Sequence, residues 1–169
     1  MRALLALALC AAAALAQGEE RTLERPDGQK LTYSVLDSAS AAASARSTAT
    51  QILTHLAAGR LEEAAALSNA PQRRYEVLRD YRASVGEDEF KRVFAQYLGM
   101  PIVAEIAIGP HRLIIWDLAE AAHHLAGQYY VEVDGRFLLD DVPSAARADL
   151  RRVLLAYRKP SPSPSGKKD

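Results

Sequence analysis

Hydrophobic and polar positions along the chain fall into three regimes. From Ser38 to Leu56 the apolar residues Ala45, Ala49, Ile52, Leu53 and Leu56 recur at helical spacing, with Ser38 or Ser40 as N-cap and Gly59 as the stop. Arg60–Leu67 forms a second, shorter helix, broken at Asn69 and Pro71. Pro71 opens a third helix carrying Tyr75, Leu78, Tyr81 and Arg82 up to Gly86. Glu87–Leu98 is a fourth, with Phe90, Val93, Phe94, Tyr97 and Leu98 as its stripe. The period then shortens to two. Pro101–Ile108, His111–Leu118, His123–Val133 and Arg136–Asp140 read as strands, and Asp134-Gly135 is a two-residue hairpin turn that needs positive φ at both positions. Pro143–Tyr157 returns to a helical period as a closing amphipathic helix, with no clean capping box between Ser144 and its downstream residues. Helices followed by a meander of strands define an α+β domain over residues 38–158.

The two ends differ from this middle. Residues 17–37 hold two short extended segments around the Pro26-Asp27-Gly28 turn, an edge hairpin or a loose arm. The opening Met1–Ala16 has Arg2 as a positive start, an uncharged run from Ala3 to Leu15, and the small-x-small pattern Ala14-Leu15-Ala16. These are the parts of a secretory signal peptide cleaved after Ala16, and the run is too short for a membrane span of about 20 apolar residues. The expected address is the periplasm or the exterior, with no stable membrane anchor after cleavage. The only cysteine, Cys10, follows Leu9, a poor fit to a lipidation site. Cleavage after Ala16 therefore leaves a chain without thiolate chemistry, disulfides or cysteine-ligated zinc. Residues 159–169 form a Pro/Ser tail that cannot bury apolar surface and is expected to be disordered.

Composition narrows the function classes. The 169 residues carry 21 basic and 21 acidic side chains, which excludes the basic excess of a nucleic-acid binder. Arg73-Arg74, Arg151-Arg152 and Lys167-Lys168 read as isolated pairs on solvated faces or in the tail. There is no G-x-S-x-G elbow and no Gly-rich phosphate loop. His123 and His124 are adjacent in an expected strand, so they point to opposite faces and do not chelate one metal; no metal or other cofactor is expected.

Two stretches carry a resemblance. Ile52–Leu67 is a helix ending at Gly59 followed by a second helix of small and apolar residues, and Ala126–Asp141 is a strand, a D-G turn and a strand. In this order the chain resembles the nuclear transport factor 2-like superfamily, also called SnoaL-like or cystatin-like. The resemblance spans roughly residues 40–157, counted as one domain. It implies amino-terminal helices packed on a curved, cone-like antiparallel sheet with a pocket between them. The closing helix after the sheet departs from the simplest members. The fold carries enzymes, carriers and assembly modules alike, so function must be read from a site.

The candidate site residues are few. Alternation puts His111, Leu113, Ile115 and Asp117 on one strand face and Arg112, Ile114, Trp116 and Leu118 on the other. Asp117 and His111 would be an acid/base pair for an isomerase, dehydratase or cyclase if their face lined a pocket; a solvated strand-end Asp is the alternative. Trp116, Tyr129 and Tyr130 are candidate ligand-binding residues, with Trp116 and Tyr129 as aromatic walls of an apolar pocket or as plain core. Gln128, Tyr130 and Glu132 are either polar groups that fix a ligand or a solvated strand face. Three readings follow: a non-catalytic module for a small apolar ligand or an envelope protein, an acid/base enzyme, and a homodimer joined through the outer sheet face.

Overall fold

The computed structural model describes residues 18–37, 44–118 and 125–159. Met1–Ala16, Ser38, Ser40, the His123-His124 pair and the Pro/Ser tail from residue 160 lie outside these ranges.

Strands come first in the described chain, which corrects the expected order of helices before sheet. β1 (Gly18–Glu24) and β2 (Lys30–Leu36) form a hairpin, followed by α1 (Ala45–Ala57), α2 (Leu61–Ala65), α3 (Pro71–Val85) and α4 (Glu87–Leu98). Then come β3 (Ile102–Ile108), β4 (His111–Asp117), β5 (Leu125–Val133), β6 (Arg136–Leu139) and α5 (Ala145–Arg158). All six strands join one curved antiparallel sheet in chain order. The hairpin is neither a loose arm nor separate: β2 pairs with β3 from Ser34↔Ala107 to Leu36↔Glu105.

Local chemistry explains most boundaries. Ser44 caps α1, its hydroxyl accepting from the Ser47 N–H at 3.3 Å. Pro71 opens α3 where its missing N–H costs nothing. Ser144 caps α5 by accepting from Arg147 N–H at 3.1 Å; the third helical position is Arg147, so the reciprocal half of a capping box is absent. Asp134 and Gly135 have φ of 50° and 74°, both positive, as the tight β5–β6 turn requires. α2 ends earlier than its pattern suggests because residues 67–69 turn to cover the edge of β6. Leu139 N–H donates to Leu67 O at 2.8 Å, and Asn69 N–H donates to Leu139 O at 3.0 Å. The other edge, β1, is guarded by the charged and mostly exposed Glu19, Glu20, Arg21 and Glu24.

The result is three layers. β4 lies between them, with Leu113, Ile114 and Ile115 fully buried, which is why its sequence is apolar on both faces. Ile114, Trp116 and Tyr130 pack under the first four helices with Leu53, Leu78 and Phe90. Leu113, Ile115 and Ile106 pack on the opposite face beneath Leu150, Val153 and Leu154 of α5, joined by Leu31 and Tyr33 of the hairpin. Gly127 of β5 is where α5 comes closest: a Cβ there would meet Leu154 Cδ2 at 2.6 Å and Leu113 Cδ1 at 2.8 Å. Arg25 ties the hairpin to the same helix through the largely buried Asp149, with Arg25 Nε 3.2 Å from Oδ1. Thus α5 occupies the sheet face through which a homodimer was expected to form. Among the described residues no helix is long and apolar enough to cross a membrane.

Candidate functional site

Alternation along β4 and β5 divides the candidate residues between two faces. Trp116 pairs with Ala126, Ile114 with Gln128 and Arg112 with Tyr130, so these six share the face beneath α1–α4. Tyr129 pairs with Leu113 and faces α5 instead. Trp116 and Tyr129 are therefore not two walls of one pocket, which corrects that expectation.

On the helix side lies a cavity of about 310 Å³. Leu53 of α1, Tyr81 of α3 and Val93, Phe94 and Tyr97 of α4 form its roof. Trp116, Ala126, Gly127 and Gln128 form its floor. The helical stripes build this wall as ring against ring: Phe94 meets Tyr81 edge-on at 6.2 Å and Phe90 at 4.8 Å, while Phe90 itself is fully buried behind the wall. The carboxamide of Gln128 is a polar group in this lining, and it is held from behind by a residue outside the cavity. Tyr130, fully buried, donates its hydroxyl to Gln128 Oε1 at 2.7 Å. That bond orients the carboxamide and leaves its N–H groups toward other acceptors. The indole N–H of Trp116 is buried and has no acceptor among the described residues.

Burial pushes the Tyr130 phenol far above its ordinary value. The unfolded chain releases this proton near pH 10, whereas the folded chain keeps it. The contribution of this group to stability is therefore level through neutrality and falls as pH rises past about 10, by about 1.4 kcal/mol per pH unit. Tyr130→Phe removes that increment and costs about 1 kcal/mol at pH 7, because Gln128 loses its donor. Denaturant titrations of both proteins at pH 7, 10 and 11 measure both effects; equal alkaline slopes would refute the assignment.

The proposed acid/base pair does not form. Asp117 and His111 share a face but sit at opposite ends of β4, about 20 Å apart at about 3.3 Å per residue. Asp117 is half-buried and lines neither this cavity nor the groove described next. His111 instead meets Asp140, with Nδ1 3.3 Å from Oδ2; neither atom makes a hydrogen bond. Asp140 and Asp141 belong to a polar lock at the end of β6. Asn69 Nδ2 donates to Asp140 Oδ1 at 2.8 Å, and Ser68 Oγ donates to Asp141 Oδ2 at 2.6 Å. Arg74 forks onto Asp141 from α3. These contacts hold helices to sheet, and His111 lies beside them.

A second, larger concavity of about 750 Å³ opens between α3 and α5, with Tyr129 in its lining. Arg147 lies over the Tyr129 ring, 5.3 Å from its centroid. Burial raises the Tyr129 phenol above its ordinary value, opposed by Arg147, Arg151 and Arg158. The arginine pairs Arg73-Arg74 and Arg151-Arg152, expected to be isolated, both line this groove. Arg147 and Arg151 are one helical turn apart and were legible as neighbours. Their approach to Arg73 across two distant helices was not. Among the described residues no three His, Cys, Asp or Glu side chains gather to hold a metal ion. No family model, curated protein or solved structure matches the chain.

Proposed function

We propose that this chain is an exported, non-catalytic binding domain of the nuclear transport factor 2-like type, which takes a small apolar ligand into the cavity beneath its helices. One observation carries the reading. An aromatic cavity of about 310 Å³ is walled by residues from three helices and two strands, with a single oriented carboxamide, Gln128, on its floor. That is the composition of a site for a small, mostly apolar molecule, where many apolar contacts supply affinity and one or two polar groups fix orientation. The ligand carries at least one acceptor oxygen, which receives a hydrogen bond from the Gln128 amide. The signal-like opening Met1–Ala16 supports export. The helices-on-curved-sheet plan supports the superfamily, against which stand the leading hairpin and the closing helix α5.

The chain contains one tryptophan, and it lines the cavity, so the protein reports on its own site. Saturable change in tryptophan emission is expected on titration with small cyclic ketones and short-chain alcohols. Ala126→Phe fills the floor beside Trp116, with which Ala126 is paired across the strands. Its expected effect is at least tenfold weaker binding, about 1.4 kcal/mol or more, without loss of thermal stability. Unchanged affinity in that variant would place the ligand elsewhere.

A further inference from the structure

We propose that the arginine-lined groove between α3 and α5 binds the phosphate or carboxylate headgroup of an amphiphilic anion. The chain as a whole is balanced, with 21 basic and 21 acidic residues, yet five arginines line this groove against one aspartate. Two of the five are ion-paired: Arg74 with Asp141, and Arg152 with Asp149, a carboxylate it shares with Arg25. Arg147 lies on Tyr129, a contact that leaves its charge in place. Arg73 and Arg151 have no carboxylate within ion-pair distance among the described residues. Guanidinium groups are the side chains whose forked donors match a phosphate or carboxylate, and three of them here lack one.

Their placement on the helices strengthens the case. α3 and α5 are among the longest helices described, and neither has an acidic residue in its first turn. Arg73 and Arg74 sit there in α3, and Arg147 in α5. Cations at this end oppose the helix dipole and repel one another. An anion in the groove relieves both effects at once. The apolar half of the ligand is read from the rim: Val77 and Leu155 line the same groove and are 52% and 48% exposed. A hydrocarbon chain lying over them would remove them from water while its headgroup stays on the arginines. This groove is separate from the cavity floored by Trp116, and the two share no lining residue.

Octyl phosphate, below its micelle concentration, tests the idea by calorimetric titration of the purified protein. It is expected to bind at least tenfold more tightly than octyl glucoside or inorganic phosphate, and at least tenfold more weakly at 300 mM than at 30 mM salt. Arg73→Glu/Arg151→Glu is expected to weaken it at least tenfold further. Both side chains are exposed and Arg73→Glu places an acid where the dipole favours one, so the melting temperature of that variant should equal or exceed the wild type. Ala126→Phe should bind octyl phosphate normally, which separates failure of the groove from failure of the cavity. Sedimentation with phosphatidylglycerol vesicles, against phosphatidylcholine vesicles, distinguishes the source. Arginine-dependent binding to the former assigns a membrane lipid; binding of the monomer alone assigns a soluble amphiphile. The inference is overturned if octyl phosphate does not bind, binds no better than inorganic phosphate, or binds the folded double-arginine variant as well as the wild type.

Discussion

Phe90→Ala is expected to destabilise the domain by about 3–5 kcal/mol, the range for truncating a fully buried aromatic side chain. Phe90 has no exposed surface and stands between the first-layer core and the cavity wall, with ring centroids 5.7 Å from Tyr81 and 4.8 Å from Phe94. Removing it deletes the transfer energy of a large apolar group and both ring contacts. It also leaves a void behind two residues that line the aromatic cavity. Domains are stable by only about 5–15 kcal/mol, so this single change takes a large share of the total. Melting temperature should fall by about 10–20 °C. Phe90→Leu keeps most of the buried area and should lose less than half as much. Chemical denaturation of the three proteins measures this; a loss below about 1 kcal/mol for Phe90→Ala would mean that the wall can collapse onto the gap.

Arg46→Met is the second large effect, and its origin is electrostatic. Glu105 sits on β3 beneath α1 and is 5% exposed, with its carboxylate 2.8 Å from Arg46 Nε. An ion pair in this position makes a small net contribution, because bringing both charges out of water costs nearly what their attraction returns. Taking away one partner is different, since the other charge stays buried. Arg46→Met is expected to cost about 3 kcal/mol, at the lower end for a broken buried pair because Arg112 also attracts Glu105. Arg46→Met/Glu105→Leu removes both charges and should regain most of the loss. A coupling energy of at least about 2 kcal/mol is the expected outcome of the cycle. Additive single effects would show that the pair carries no buried charge energy.

The parts of this fold that were legible in the sequence are those set by neighbours in the chain. The four central helices and the β3–β6 meander follow from residues a few positions apart, such as the β-branched run of β3 and the Asp134-Gly135 turn. The leading hairpin was visible as two extended segments, but its place in the sheet was not. Its docking is decided by Ser34–Leu36 meeting residues 105–107 after four intervening helices, a pairing with no local signal. The site was legible to the same degree. Period-two alternation on β4 correctly put Trp116 and Ile114 opposite Leu113 and Ile115. Sharing a face does not mean sharing a site, which is why Asp117 and His111 are separated by the length of the strand. Tyr129 was assigned to the wrong wall because the pairing of β4 with β5, rather than the pattern within either, fixes which aromatic groups meet. The roof of the cavity was read only as a helix stripe, since Tyr81, Phe94 and Tyr97 become a wall once α3 and α4 pack over β4 and β5.

Native mass spectrometry of the protein purified from the cells that make it tests the proposed ligand-binding role and export most directly. The expected result is a chain beginning at Gln17 that carries an additional small mass. That mass should be released on denaturation and be absent from Ala126→Phe prepared in the same way. A bare wild-type chain whose tryptophan emission also stays unchanged on titration with small apolar compounds would contradict a ligand-binding cavity.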